Sequence, residues 1–388
     1  MTNVHPAVGG RVYLEKPGLD AFVRELASQG YKVVAPTRRD GVIVLRPVRA
    51  ATELAHGVRD VQDGGSYRLA DGDPDLYFEF VVGPDGPKRY LFPPEQRLLE
   101  IHAEREEFVL DAGPAQSPKI AFLGIRPCEL AAILVQDRVF GADDPAPFRC
   151  EAEAGYCQAR KAALTIVVNC THPGGTCFCG SMGTGPEAKS GFDLALTELR
   201  GGFVVEVGSP RGGELAQRLP VREATSAELE LAEVRLEQAR GRMGRQMDTL
   251  GLPELLTAAV EHPRWDNVAK RCLGCGNCTM VCPTCFCSSM VDSSDLAGTS
   301  ASRMRQWDSC FTLQFSYTTA GPLRNSLRAR YRHWLRHKLC TWWEQFGMSG
   351  CVGCGRCITW CPVGIDITEE VAALRGQAAA RRESEVVR

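Results

Sequence analysis

One spacing occurs twice in this chain and constrains it more than any other feature. Cys272-x-x-Cys275-x-x-Cys278-x-x-x-Cys282-Pro283 recurs as Cys351-x-x-Cys354-x-x-Cys357-x-x-x-Cys361-Pro362. Two-residue gaps let a tight loop wrap three thiolates around one face of an iron-sulfur cube. Gly274, Gly276, Gly353 and Gly355 relieve the steric limits of that wrapping and expose amide donors to the sulfurs. The fourth thiol, followed by proline, turns the chain away and ligates the other cube. On that rule Cys272, Cys275, Cys278 and Cys361 hold one 4Fe-4S cluster, and Cys351, Cys354, Cys357 and Cys282 hold the second. Structural zinc also favours C-x2-C pairs, but it pairs two such units about 15 to 20 residues apart, which neither run resembles.

The run is that of bacterial two-cluster ferredoxins. In compact ferredoxins the two copies are close in sequence, whereas residues 283–350 intervene here, so the insertion must itself be structured. Composition points the same way. The 388 residues suggest two or three domains, and 44% hydrophobic content is enough to give each a core. The 45 Lys and Arg nearly balance 47 Asp and Glu, so the net charge of −2 carries no global sign of nucleic acid or an acidic membrane surface as a partner. The N-terminus has no basic stretch leading into an apolar run, and no window is long and apolar enough to span a bilayer, so a cytoplasmic chain is expected. In a long chain of that kind, 18 cysteines point to metal or redox chemistry rather than to disulfides.

The expected fold class is α+β, with an N-terminal mixed α/β domain (1–215), a helical connector (216–264), a mostly helical two-cluster ferredoxin-like domain (265–375) and a C-terminal tail (376–388). Candidate strands are Val42–Leu45, Leu76–Val82, Lys119–Leu123, Leu164–Val168 and Phe203–Val207, each rich in β-branched or aromatic residues. Glu129–Phe140 reads as a helix between two of them. Apolar positions from Leu229 to Met247, preceded by the Thr225/Glu228 capping box, predict an amphipathic helix over 226–248. Beyond 265 the chain reads as helices and loops, including a helix over Leu323–Leu339.

Cys285 and Cys287 are surplus to the first run. Such a Cys-x-Cys pair can supply an alternative fourth ligand, a sulfur near the cluster, or soft packing, of which packing beside the cluster is favoured. Cys310 and Cys340 read as buried small hydrophobes, and Cys150 and Cys157 as dispensable members of a polar loop. The surplus pair has an echo in Cys170-Thr-His-Pro-Gly-Gly-Thr-Cys177-Phe-Cys179, which follows a predicted strand. Cys128 ends a neighbouring predicted strand. A parallel pair would bring Cys128, Cys170, Cys177 and Cys179 to one sheet edge, enough ligands for a third 4Fe-4S cluster. Zinc, with or without His172, and plain packing remain alternatives. No Ser-His-Asp set, HExxH or pair of catalytic carboxylates occurs, so no catalytic site is expected.

Arg324, Arg328, Arg332 and Arg336 recur at helical spacing with Lys338 nearby. Such a row can offset an anionic cluster, dock an acidic partner or face solvent. The interleaved Tyr331 and Trp334 would suit base stacking, against which the balanced charge argues.

The ordered set Arg126-Pro-Cys128-Glu-Leu, Cys177-Phe-Cys179, His262-Pro-x-Trp265, the first run ending Cys-Pro-Thr-Cys-Phe-Cys, Trp307-Asp-Ser-Cys310 and the second run resembles the beta subunit of cytoplasmic nickel-iron sulfhydrogenases. The related A subunit of anaerobic sulfite reductase is similar. The resemblance spans about residues 110–370. It implies an electron carrier between a flavin subunit that handles NAD(P)H and a catalytic partner, either the nickel-iron hydrogenase small and large subunits or a sirohaem sulfite reductase. It also raises the third site, on Cys128, Cys170, Cys177 and Cys179, above what spacing alone supports. An autonomous ferredoxin-like carrier fits a chain of this length poorly.

Overall fold

The first half of the chain builds one large mixed sheet. The computed structural model describes residues 6–81, 83–104, 107–111, 118–142 and 153–386. In spatial order the strands are Val221–Glu223, Arg11–Glu15, Gly202–Val207, Leu194–Glu198, Leu164–Val168, Ile120–Ile125, Lys32–Arg39 and Val42–Pro47. The four strands from Leu194–Glu198 to Lys32–Arg39 are parallel to their neighbours, and the outer ones are antiparallel. Ile120–Ile125 and Leu164–Val168 are buried at every position, as central strands covered on both faces must be. Four of the five expected strands are present.

The fifth is not a strand. The backbone of residues 76–81 is held by buried side chains instead of a ladder. Glu198 accepts from the amides of Tyr77 and Phe78, each at 2.8 Å, and Asp60 accepts from Val81. Arg126 donates to the carbonyls of Phe78 and Phe80. An apolar segment whose hydrogen bonds are met by remote side chains has no need of a strand partner. Val82, the last residue of that expectation, lies outside the described residues.

The helix after Ile120–Ile125 is Pro127–Phe140. Proline opens it, Glu129 reaches back to the Arg126 amide at 2.9 Å, and Gly141 closes it in the left-handed region at φ 72°. The capping box at Thr225/Glu228 is present as well, but its helix runs only Ser226–Gly241. It stops because the following residues bind elsewhere. Arg245 donates its amide to the Cys177 carbonyl at 2.9 Å, Met247 donates to Ser181 Oγ at 3.1 Å, and Gly244 lies against Gly175.

The second half also departs from helices and loops. Ser288–Ser294 and Ser300–Trp307 form an antiparallel hairpin that joins Glu95–Glu104 and Glu107–Asp111 in a four-stranded sheet. Asp295 nucleates its turn by accepting from the Thr299 amide, with Gly298 at φ 69°. The helix expected over Leu323–Leu339 is Leu327–Arg336, continued by a widened π turn at His337–Thr341 and by Trp342–Phe346. The class is α+β. Among the described residues no helix is long and apolar enough to cross a membrane.

Glu198 is 2% exposed and also pairs with Lys16. Glu198→Ala strands two buried amides and a half-buried ammonium, so it should destabilise the chain by about 3–5 kcal/mol, read as a lower denaturation midpoint.

Candidate metal centres

The two cysteine runs fold alike because their glycines occupy the same conformations. Gly274 and Gly353 sit at φ 66° and 65°, Gly276 and Gly355 at 76° and 73°. Each second glycine opens a short helix, Asn277–Met280 or Arg356–Thr359, and each first glycine points its amide at a sulfur: Gly274 to Cys272 Sγ and Gly353 to Cys351 Sγ, both at 3.4 Å. Cys272, Cys275, Cys278 and Cys361 line one cavity, together with Cys357 of the second run, and Phe311, Tyr331 and Trp334 close it. Cys361 thus reaches the first run from the second. The reciprocal partner, Cys282, lies close enough to Cys351, Cys354 and Cys357 to act on their ionisation. Burial pushes all of these second-run thiols up, Cys351 to about 12. A buried thiol of this kind gives up its proton only to a metal. The first lobe reaches the surface, where Cys275 is exposed beside Leu273 and Val363.

In the first half, Ile120–Ile125 and Leu164–Val168 are parallel neighbours, and Cys128 and Cys170 lie just beyond their carboxyl ends. Cys177 and Cys179 join them. All four are 4–6% exposed, and burial is the first cause that raises each thiol; Cys177 adds to it at Cys128, Cys179 and Cys170 at Cys177, and Cys128 and Cys170 at Cys179, while Cys354 of the second run also acts on Cys128 and Cys179. The site is built around them. A Cβ on Gly185 would meet Cys179 Sγ at 2.8 Å, and Met243 Sδ lies 4.0 Å from that sulfur. Two buried arginines stand beside the thiols: Arg126 acts on Cys170, and Arg356 on Cys128 and Cys354. Arg356 pairs with the fully buried Glu129 at 2.6 Å, yet its Nη1 has no acceptor, nor has Arg126 Nε. Unfilled buried donors next to four thiols fit an anionic cluster. His172 turns away to Glu79, at 3.5 Å. Among the described residues no three Cys, His, Asp or Glu converge on one point as a single ion requires, whereas a cube holds its thiolates further apart.

The first-half site and the second run touch directly. Phe178 donates its amide to the Gly353 carbonyl at 2.8 Å, Thr184 donates to the Val352 carbonyl at 2.6 Å, and the Thr176 and Thr359 hydroxyls meet at 2.7 Å. A Cβ on Gly353 would lie 2.7 Å from the Cys179 backbone, and one on Gly355 would lie 2.3 Å from the Thr176 carbonyl. The turn at Asp63–Ser66 covers the same run, with Gly65 donating to the Ile358 carbonyl at 3.1 Å.

Several expectations change here. Cys285 shares a hydrogen bond with Cys282, and Cys287 with Cys310, so the surplus pair packs as free thiols beside the first run. The Cys310 contact pulls Cys287 down to about 7. Cys340 is buried against the Pro253 carbonyl, Cys157 sits in the helix Ala154–Ala162, and Cys150 lies outside the described residues. The arginine row fastens the chain to itself: Arg328 and Arg332 pair with Glu261, Arg336 donates to the Leu256 carbonyl and Arg324 to Ser316. Tyr331 and Trp334 are buried over the first lobe and offer no stacking surface. The cation that does reach a cluster run is Lys338, with Nζ 3.2 Å from Cys282 Sγ. It continues the inward face of Tyr331, Trp334 and Leu335 rather than the arginine row.

Residues 271–365 match the family model of the 4Fe-4S dicluster domain, which indicates two 4Fe-4S clusters. The sulfhydrogenase 2 beta subunit of Pyrococcus furiosus is 31% identical over 283 residues, which cover 72% of this chain and 80% of that protein. The chain belongs to the sulfhydrogenase beta-subunit family. No solved structure matches it. Family and domain together make it an iron-sulfur electron-transfer subunit.

For this beta subunit, Gly355→Ala should push the second run off Thr176, destabilising the holoprotein by about 1–3 kcal/mol and lowering the iron retained after mild chelation. Gly376→Ala, on an exposed helix with nothing within 4 Å, should leave both unchanged.

Proposed function

We propose that this chain relays electrons between an NAD(P)H-linked flavin subunit and the small and large subunits of a nickel-iron hydrogenase, through three 4Fe-4S clusters. Cys272, Cys275, Cys278 and Cys361 hold the first, Cys351, Cys354, Cys357 and Cys282 the second, and Cys128, Cys170, Cys177 and Cys179 the third. The observation that carries this reading is the seating of the Cys177–Cys179 loop on the Cys351–Cys357 loop, at the Phe178–Gly353 bond. It sets three thiol groups in series, from a buried site at the sheet edge to an exposed lobe at Cys275.

Bound clusters supply one-electron transfer with charge spread over iron and sulfide. The chain's own part is to fix the separations and exclude water. The sheet fixes Cys128 and Cys170 at adjacent strand ends. Phe178, Met243 and Val352 close the third site from solvent, and Tyr331 and Trp334 cover the inner side of the first. The apolar rim of Leu273 and Val363 around Cys275 is where a partner's redox centre can approach without a layer of ordered water. The catalytic partner follows from the relative, whose name is that of a sulfhydrogenase subunit.

The test is metal analysis of the native complex purified anaerobically under mild conditions. Nickel and a flavin that co-purify with this chain, with clusters bleached by NAD(P)H, are the expected result. Sirohaem in place of nickel would assign the chain to a sulfite reductase. A chain that purifies alone and exchanges electrons with several enzymes would make it a free carrier.

A further inference from the structure

The two cysteine runs share one spacing and the same left-handed glycines, so a difference between their matching cysteines is informative. Their opening cysteines receive the same amide bond from the same left-handed glycine, each at 3.4 Å. Their proline-linked cysteines do not match. Cys361 Sγ accepts a neutral amide, that of Ile365, at 3.3 Å. Cys282 Sγ instead stands 3.2 Å from Lys338 Nζ and 3.2 Å from the Thr284 hydroxyl.

Lys338 is 3% exposed, and its nitrogen has three partners: Cys282 Sγ at 3.2 Å, Thr284 Oγ1 at 2.9 Å and the Gly350 carbonyl at 2.9 Å. Three acceptors around one nitrogen are the complement of an ammonium, which has three donors and no lone pair. The anionic groups that act on it are thiols, with Cys282 first, then Cys285 and Cys351. A buried ammonium needs a counter-charge. Here the sulfur ligands of a cluster are the available one. Lys338 follows the buried Tyr331, Trp334 and Leu335 at helical spacing, so the helix carries it inward, away from Arg328 and Arg332, which pair with Glu261.

We infer that Lys338 is a fixed cation that raises the reduction potential of the second cluster above what burial alone would allow. The inference rests on the proposed assignment of Cys282 to that cluster. A cube on four thiolates becomes more negative by one charge when it accepts one electron from a neighbouring 4Fe-4S centre. Burial opposes that gain, and an ammonium against a ligand sulfur favours it. No proton moves, because all three N–H bonds of Lys338 stay committed. At Cys361 the matching contact is the neutral Ile365 amide, and the exposed Cys275 leaves solvent to do this work.

The experiment compares wild type with Lys338→Met and Lys338→Gln in the full chain, using iron content and redox titration followed by electron paramagnetic resonance. Met keeps the length without charge or donors, and Gln keeps a donor without charge. Retained iron and a lower potential for one cluster, with the others unmoved, in both variants is the expected result. Unchanged potentials, or an equal shift of every cluster, would overturn it. Cys282→Ser identifies which signal belongs to the cluster concerned. If that variant alters the same signal that Lys338→Met shifts, the assignment and the inference stand together. If Cys282→Ser perturbs a signal that neither Lys338 variant moves, the assignment survives and the inference fails. If Cys282→Ser changes neither iron content nor any signal, the ligand assignment fails and takes the inference with it.

Discussion

The contact on which the rest depends joins two loops more than 170 residues apart in the chain: the Phe178 amide on the Gly353 carbonyl, with Thr176 against Thr359 and Gly355. Backbone meets backbone there. A side chain at Gly353 or Gly355 would occupy space already filled by the Cys179 and Thr176 main chain. The same glycines also bend the second cysteine run, so one pair of residues both shapes the ligand loop and lets the first-half site approach it. The close approach matters for an electron carrier because transfer depends on separation more than on any side-chain chemistry.

Around that contact the chain places an unusual number of buried charges, each answering a local need. Glu198 and Asp60 stand in for strand partners along residues 76–81. Glu129 both caps its helix and neutralises Arg356 between Cys128 and Cys354. Lys88 donates to the Cys285 carbonyl at 3.1 Å and lies over Trp307. Arg126, Arg356, Lys88 and Lys338 are all buried cations beside thiols, placed where they would offset the charge of anionic clusters.

Much of this was legible in the sequence. The spacing of the eight run cysteines is a local property, and so is the continuous apolar character of Ile120–Ile125 and Leu164–Val168, from which the meeting of Cys128 and Cys170 at one sheet edge follows. What escaped was set by distant partners. Residues 76–81 carry strand composition but receive their hydrogen bonds from Glu198, Asp60 and Arg126. The helix from Ser226 ends early because Gly244 and Arg245 are needed on the Cys177 loop. Ser288–Ser294 is polar and exposed, with no alternation to mark it as a strand. Lys338 continues the buried face of Tyr331, Trp334 and Leu335, but the sulfur that it meets lies on the distant Cys282 loop, which no local pattern announces.

The central claim is that three clusters stand in series in one subunit, and the measurement that addresses it most directly is iron and acid-labile sulfide per chain on the anaerobically purified subunit. About twelve of each, as three cubes require, is the predicted result. About eight, with Cys128→Ser and Cys179→Ser leaving that number unchanged, would contradict it and reduce the first-half thiols to packing.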